Sequence, residues 1–320
     1  MVWLHRYSVF VSAATLLLIA AGGMVTSTGS GLAVPDWPNT YGSFMFTFPL
    51  EQMVGGIFYE HGHRLIASTV GFLTVVLAIW TWRVDPRAWV RRLAFAALAA
   101  VIIQGLLGGI TVLLLLPAPV SIGHAGLAQL FFCMTVALAV FTSRGWREGT
   151  SAADDSRLRR LALATTVLVY LQILLGATVR HTGAGMAIPD FPLAYGRVVP
   201  PFWSAAIALH FAHRVGAVVA TMSILLTVIH VWRTRPVPQI AVPALLLAFL
   251  VFAQVTLGAF VVLSGLQPIV NTAHVVNGAL VLAVSLVLTL RSFKRALDRR
   301  MTVRLRDDLP HGATVVGARP

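Results

Sequence analysis

Charge is scarce in this chain, and negative charge is the scarcest. Only 11% of its 320 residues are charged, with 24 Lys or Arg against 11 Asp or Glu, whereas 58% are hydrophobic. A soluble domain covers its surface with polar groups and rarely has such a composition. The shortage of charge therefore excludes an ordinary soluble enzyme and predicts a protein that has lipid as its main solvent.

Cysteine is almost absent too. The single Cys133 lies inside an apolar run, which excludes a disulfide within the chain and a cysteine-based zinc site. The amino terminus lacks the many arginines and serines of an organelle transit peptide, which favours a bacterial protein. Arg6 and the apolar stretch after it are similar to a signal peptide, but that stretch has a counterpart in mid-chain, so we expect it to be retained.

Eight apolar runs are long enough to cross a bilayer, which takes about 20 helical residues. They predict an all-α integral membrane protein with eight transmembrane helices. The runs are Val9–Ser27, Ile57–Trp82, Leu93–Leu115, Val120–Thr142, Leu158–Val179, Ala205–Trp232, Ile240–Leu263 and Ile269–Leu290.

The arginines indicate which side of the membrane each connection faces. They cluster in alternate connections, and the connections after the third and seventh runs contain no Lys or Arg. By the positive-inside rule both termini are cytoplasmic, in the inner membrane of a bacterial cell. The net charge of +13 thus reflects topology, and we expect no nucleic-acid partner. The clusters are Arg83, Arg87, Arg91 and Arg92; Arg144, Arg147, Arg157, Arg159 and Arg160; Arg233 and Arg235; and a basic cytoplasmic tail, residues 293–320.

The chain contains an internal repeat. Thr28–Gly42 reads TGSGLAVPDWPNTYG and Thr182–Gly196 reads TGAGMAIPDFPLAYG, identical at nine of fifteen positions. Further matches share an offset of 150 residues, and a shared register over so long a stretch indicates duplication. These matches are His63-Arg64 with His213-Arg214, Gln104 with Gln254, Gly108 with Gly258, and His124 with His274.

Each half of the repeat contains four spans, so both halves enter the membrane from the same side. We therefore expect two tandem four-helix bundles, residues 1–150 and 151–292, related by a pseudo-twofold axis along the membrane normal. The two repeated loops carry glycines and prolines suited to tight turns. We expect Asp36 and Asp190 within these loops to bond to nearby backbone.

Four histidines form two equivalent pairs at similar depth. His63 and His124 lie near the outer ends of the second and fourth spans, and His213 and His274 repeat that placement. A lone intramembrane histidine is as often a helix–helix hydrogen-bonding group as a functional one. Two imidazoles on neighbouring helices are the axial ligands that a heme iron accepts. A zinc site is less attractive, because each half offers few other ligands.

Charged groups next to these histidines differ between the halves. Arg64 and Arg214 could pair with heme propionates or extend to the membrane surface. Glu60, three residues before His63, shares its helix face. The matching residue of the second half is His210, a candidate to support a heme ligand without binding the iron itself. Glu60 could also be solvated at the surface or pair with Arg64.

Some polar residues fall outside this constellation. His61 and His181 have no repeat partner, and we expect both to be peripheral. Amide side chains within the spans are expected to join helices by hydrogen bonds. They are Gln104, Gln172, Gln254, Asn271 and Asn277.

Together these residues resemble the heme A synthase family, over nearly the whole chain to about Leu290. The resemblance rests on E-x-x-H-R at Glu60–Arg64, H-x-x-H-R at His210–Arg214, the paired P-D-x-P loops, and His124 and His274. It implies an oxidoreductase that converts the methyl group of heme O to the formyl group of heme A for terminal oxidases.

The resemblance also implies roles for the four histidines. His63 and His124 would flank the substrate heme in the first half. His213 and His274 would ligate the iron of a heme b in the second half. Glu60 matches the family's functionally important glutamate, so it is the catalytic candidate.

One departure from the family is the lack of a cysteine pair in the outer loops, which places this chain with the cysteine-free type and excludes a mechanism through a loop disulfide. Heme O synthase and terminal oxidase assembly factors are the partners such an activity would have, and a homo-oligomer is left open. The rival hypothesis is a diheme b-type cytochrome that exchanges electrons with a quinol. A transporter would explain the repeat but not the histidines.

Overall fold

The computed structural model describes residues 1–149, 155–234 and 237–307, with side chains as far as Lys294. Within these ranges the chain is helical, with isolated β-bridges and no β-strand. The α-helices are α1 (Val2–Ser27), α2 (Gly56–Val84), α3 (Ala88–Leu113), α4 (Ala118–Thr142), α5 (Arg144–Arg147), α6 (Ser156–His181), α7 (Ala205–Thr234), α8 (Pro238–Leu263) and α9 (Pro268–Asp307).

All of these helices except α5 are long and apolar enough to cross a membrane, which confirms the eight predicted spans. The protein is therefore a multi-pass membrane protein. The helices are longer than the apolar runs: α1 begins at Val2 instead of Val9, and α9 continues past Leu290 to Asp307. A helix satisfies its own backbone hydrogen bonds and need not end where the hydrocarbon ends. The short α5 was not predicted, and Ser143 caps it by accepting from the Trp146 amide at 3.2 Å.

The helices of each half pack as a closed group of four. In the first half α2 and α4 both pack against α1 and α3, and in the second half α7 and α9 both pack against α6 and α8. In each group two helices therefore face each other across the centre, α2 opposite α4 and α7 opposite α9. These are the four helices that carry the predicted histidine ligands.

Buried apolar side chains hold each group together. The first core includes Leu77 on α2 and Leu138 on α4, and the second includes Leu247 on α8 and Leu282 on α9. A smaller cluster lies where the groups meet and is formed by α1, α4 and α9. Many large apolar side chains remain exposed on the spanning helices, as a surface in contact with lipid requires.

Two loops lie at the same ends of these helices, residues 28–55 between α1 and α2 and residues 182–204 between α6 and α7. We call this end of the molecule the loop side. In the first loop Asp36 accepts hydrogen bonds from the amides of Tyr41 and Gly42, both at 2.8 Å. Burial raises the pKa of Asp36, but these backbone bonds outweigh it and leave the pKa below its usual value.

The second loop repeats this turn. Asp190 accepts from the Gly196 amide at 2.8 Å and from the Tyr195 amide at 2.7 Å. These two bonds lower the pKa of Asp190 from its usual value. The prediction that both aspartates bond to nearby backbone is confirmed.

Candidate functional site

The four predicted histidines lie in two pairs on opposed helices. His63 on α2 is close enough to His124 on α4 for their charges to interact, and the same holds for His213 on α7 and His274 on α9. All four histidines are half-buried. The structure thus brings together the pairs that the repeat predicted.

Each of these imidazoles lies close to a glycine of a neighbouring helix, with its Cε1 atom nearest. A Cβ added to that glycine would lie closer to the ring carbon Cε1 than an ordinary van der Waals contact. The distances to Cε1 would be 3.0 Å from Gly22 to His63, 3.2 Å from Gly108 to His124, 2.8 Å from Gly176 to His213 and 3.1 Å from Gly258 to His274. A larger residue would therefore crowd the ring, most severely at Gly176.

Polar contacts of the rings are few. The Nδ1 atoms of His63, His124 and His274 are buried and have no hydrogen-bond partner among the described residues. Amide nitrogens lie near the other ring nitrogen of two of them, Gln104 at 3.4 Å from Nε2 of His124 and Gln254 at 3.3 Å from Nε2 of His274. Buried polar atoms without partners are uncommon in native proteins and indicate a missing ligand or water.

The fourth histidine differs in this respect. The amide nitrogen of Gln172 on α6 lies 3.0 Å from Nδ1 of His213 and donates to the His213 carbonyl oxygen at 2.8 Å. The predicted role of Gln104, Gln172 and Gln254 as links between helices is confirmed, since each contacts a histidine of the adjacent helix.

The donor set suits a heme. Among the described residues no group of three or more His, Cys, Asp or Glu side chains could hold a metal ion. A porphyrin supplies four nitrogens itself and needs only an imidazole on each face. Paired histidines on opposed helices, glycines that leave room for the rings and unpartnered ring nitrogens all meet that need.

A buried ion pair lies beside the first histidine pair. Glu60, 3% exposed, accepts from Arg64 at 2.6 Å through Oε1 and from the Val34 amide at 2.8 Å through Oε2. Pairing with Arg64 was one predicted alternative and is confirmed, whereas a solvated Glu60 is wrong. Because Val34 belongs to the loop, the carboxylate ties that loop to α2.

The second half builds the same contact with different chemistry. His210 receives the Ile188 amide at Nδ1 and Nε of Arg214 at its own Nε2, both at 3.3 Å. A neutral imidazole has a single acceptor nitrogen, so it satisfies one of these donors at a time. A carboxylate accepts from both at once, as Glu60 does.

The two arginines mainly hold loop backbone. Arg64 donates to three loop carbonyls, of Val34, Asp36 and Asn39, at 2.7 to 3.0 Å. Arg214 does the same in the second half. Neither extends to the membrane surface as a free cation. Their predicted contact with heme propionates stays a prediction. Such a contact would use the few guanidinium N–H groups of Arg64 and Arg214 that make no hydrogen bond to the protein.

Comparison with known proteins decides the family. A family model described as cytochrome oxidase assembly protein, COX15-CtaA, matches residues 5–286. Curated relatives named heme A synthase are also similar. The protein of Symbiobacterium thermophilum is 34% identical over 69% of this chain and 73% of its own. Those of Shouchella clausii and Geobacillus kaustophilus are 31% and 30% identical, over 82% and 83% of this chain and 87% and 84% of theirs.

This chain belongs to the heme A synthase family. The family predicted from the histidine motifs and the paired loops is thereby confirmed. The match covers both halves of the repeat and ends within α9. Heme is therefore the ligand that the residues of the site are expected to bind.

One expectation for this member of the heme A synthase family, the peripheral placement of His61, needs correction. His61 is not peripheral: it is 1% exposed, its Nδ1 lies 3.0 Å from Oγ1 of Thr40, and its ring contacts that of Phe48 at an angle of 50°. Its match at the offset of 150 is Phe211, so the sequence presented it as a histidine without a partner. The expectation that His181 is peripheral stays a prediction.

Sequence reasoning missed several residues of the site. Gly22 and Gly176 share the register of the repeated loops, an offset of 154, and that register was the signal available. Trp37 was also missed. Its ring covers Gly109, next to the glycine behind His124, and a Cβ at Gly109 would lie 2.5 Å from it. The second half has Phe191 and Ala259 at the matching positions.

Proposed function

We propose that the protein is a heme A synthase, an oxidoreductase that oxidises a methyl group of heme O to the formyl group of heme A. The observation that carries this proposal is the presence of two glycine-backed histidine pairs in a chain of this family. Heme O is the substrate. A pair of imidazoles on opposed helices would hold a heme between them within the group of four helices.

The two halves divide the work. His63 and His124 hold the substrate heme, and His213 and His274 hold a resident heme b. A heme b with two histidine ligands supplies one-electron transfer. Gln172 supports this division, because it contacts His213, whereas α1 has Leu18 at the matching position. His213 is held in place by this polar contact, whereas Nδ1 of its counterpart His63 has no hydrogen-bond partner among the described residues.

Glu60 is the catalytic candidate of the first half. It lies one helical turn from His63 on the same face of α2. Each of its oxygens accepts one hydrogen bond, from Arg64 or Val34, and keeps a second lone pair. The carboxylate can therefore take a proton, or stabilise positive charge that develops at the oxidised carbon, while it keeps the loop in place.

We further propose two tandem four-helix bundles related by a pseudo-twofold axis along the membrane normal. Contacts between the halves support this arrangement. A twofold axis would superpose α1 on α6 and α4 on α9. It would therefore exchange the α1–α9 contact with the α6–α4 contact and leave the α4–α9 contact unchanged, and all three contacts are present. The distribution of arginines supports cytoplasmic termini in a bacterial inner membrane, with the loop side outside.

The proposed chemistry implies particular partners. Heme O synthase would supply the substrate, and assembly factors of terminal oxidases would receive the product. The lipid bilayer covers the exposed apolar faces. A homo-oligomer is left open by the chain itself.

The test is a comparison of hemes in cells with and without the protein. Chromatography of extracted hemes should show heme A only when the protein is present, and a pyridine hemochrome assay of the purified protein should show heme b. The rival function, a diheme cytochrome that exchanges electrons with a quinol, is not favoured by the family. It would leave heme O unchanged, and a transporter would bind no heme.

A further inference from the structure

Arg180, in the last turn of α6, is a cation at the contact between the halves. Its Nη2 donates to the Gly23 carbonyl of α1 at 2.8 Å and to Oγ of Ser27 at 2.7 Å. Its Nε is buried and has no hydrogen-bond partner. No carboxylate among the described residues pairs with it, in contrast to Arg64, which has Glu60.

The position of Arg180 relates it to the second histidine pair. It follows Gly176, the glycine behind His213, by four residues, so it lies one helical turn closer to the loop side on the same face of α6. The matching residue of α1, four residues after Gly22, is Thr26, so only the second half has a cation here.

An enclosed guanidinium without an anion is unfavourable, because desolvation of the charge is not offset. Arginine most often meets this need by binding a carboxylate. Carboxylates of a heme are its two propionates. We propose that Arg180 binds a propionate of the heme held by His213 and His274, an inference that rests on the proposed function.

A purely structural role would leave part of the guanidinium unexplained. Both hydrogen bonds from Arg180 to α1 come from Nη2. A purely structural link between α6 and α1, here called a strut, therefore needs neither Nε nor Nη1. Arg214, the arginine that sequence reasoning assigned to this heme, already donates to His210 and to three loop carbonyls. Arg180 therefore has free donors where Arg214 has few.

The experiment compares two ligands on the full chain, produced in cells that cannot make heme. Purified protein is titrated with protoheme and with protoheme dimethyl ester, and the low-spin spectrum reports binding. For the unaltered chain the ester should bind about tenfold more weakly, because one charge-assisted hydrogen bond is lost. In Arg180→Leu this preference for the free acid should largely disappear, and in Arg180→Lys part of it should remain.

Two controls separate the alternatives. Ser27→Ala removes a strut bond and keeps the guanidinium, so it should keep the full preference. Arg197→Leu removes an exposed loop charge of the same half and should also keep it. If Arg180→Leu and Arg180→Gln discriminate acid from ester as well as the unaltered chain does, Arg180 is only a strut. If the unaltered chain binds no protoheme with a low-spin spectrum, the proposed function fails instead.

Discussion

Arg64 and Glu60 form an ion pair of 2.6 Å across one turn of α2, and both also bind the loop that precedes that helix. In the second half Arg214 meets His210 at 3.3 Å in the same place. The repeat has thus kept the contact between loop and helix in both halves and has kept a carboxylate in only one. A carboxylate that served the loop alone could have been replaced by histidine in the first half as well.

Glu60→Gln should lower heme A production by about a hundredfold or more, the usual effect of removing a general base. The heme b spectrum should stay nearly intact, because His213 and His274 lie in the other half. Glutamine keeps the size of the side chain and one acceptor oxygen, so the loop should remain attached. Heme extraction and the reduced-minus-oxidised spectrum measure the two effects separately.

Glu60→His is the matched control, since it copies the contact that His210 makes in the second half. It should restore loop attachment and not activity. Full activity in Glu60→His would mean that the carboxylate is only a loop anchor. Loss of heme b in Glu60→Gln would contradict the division of work between the halves.

The pH dependence of the second loop follows from Asp190. Hydrogen bonds from the amides of Gly196 and Tyr195 lower its pKa from the usual 3.8. The stabilisation of the loop by the ionised Asp190 is therefore fully present at a pH above 3.8, and it is lost as the pH falls through the lowered pKa of Asp190. Hydrogen exchange corrected for intrinsic rates should show the two amides still protected at about pH 4 and exposed at lower pH.

Asp190→Asn provides the comparison for this experiment. Its side chain has one acceptor oxygen and does not ionise as Asp does, so protection should be weaker and should not change with pH over the acid range. Equal protection and equal pH profiles for the two chains would refute the role of the charge.

The sequence predicted the spans and the histidine pairs because both leave a one-dimensional signal. The length of an apolar run indicates a membrane span. The constant offset of 150 residues identifies His213 as the counterpart of His63, and His274 as the counterpart of His124. Helix ends such as Val2 were missed, because hydropathy stops at the edge of the lipid and the helix does not.

Contacts between distant segments were harder to foresee. Pairing of Glu60 with Arg64 was one of the predicted alternatives, but its hydrogen bond from the Val34 amide was not foreseen. The amide belongs to a loop whose path cannot be read from hydropathy. Arg180 reaches α1 from α6, a contact over more than 150 residues that no periodicity predicts. The burial of His61 depends in the same way on Thr40 and Phe48 of the loop.

Membrane topology can be tested with reporter fusions. Fusions within Trp82–Arg92 and after Arg291 should report a cytoplasmic location, because both sites lie in arginine clusters. Fusions within Thr28–Leu50 should report the opposite side. A periplasmic signal after Arg291 would overturn the proposed orientation, and equal signals from all three sites would show that the fusions disturb insertion.

The glycines behind the histidines allow each half to be disturbed separately. Gly176→Ala places a Cβ about where the ring of His213 lies, 2.8 Å from Cε1, so the ring has to move. Overpacking of this kind costs about 1–3 kcal/mol and shifts the side chain. The heme b spectrum should weaken or change. Gly22→Ala, 3.0 Å from Cε1 of His63, should instead lower heme A production and leave the heme b spectrum in place.

Gly105→Ala is the control for both variants, because a Cβ at Gly105 would meet nothing within 4 Å and the change also replaces a helical glycine by alanine. It should leave heme A production and the heme b spectrum unaltered. The comparison distinguishes displacement of a ligand from a general effect on helix packing. If Gly22→Ala removed heme b and Gly176→Ala removed only heme A production, the substrate and resident hemes would have to exchange places between the halves.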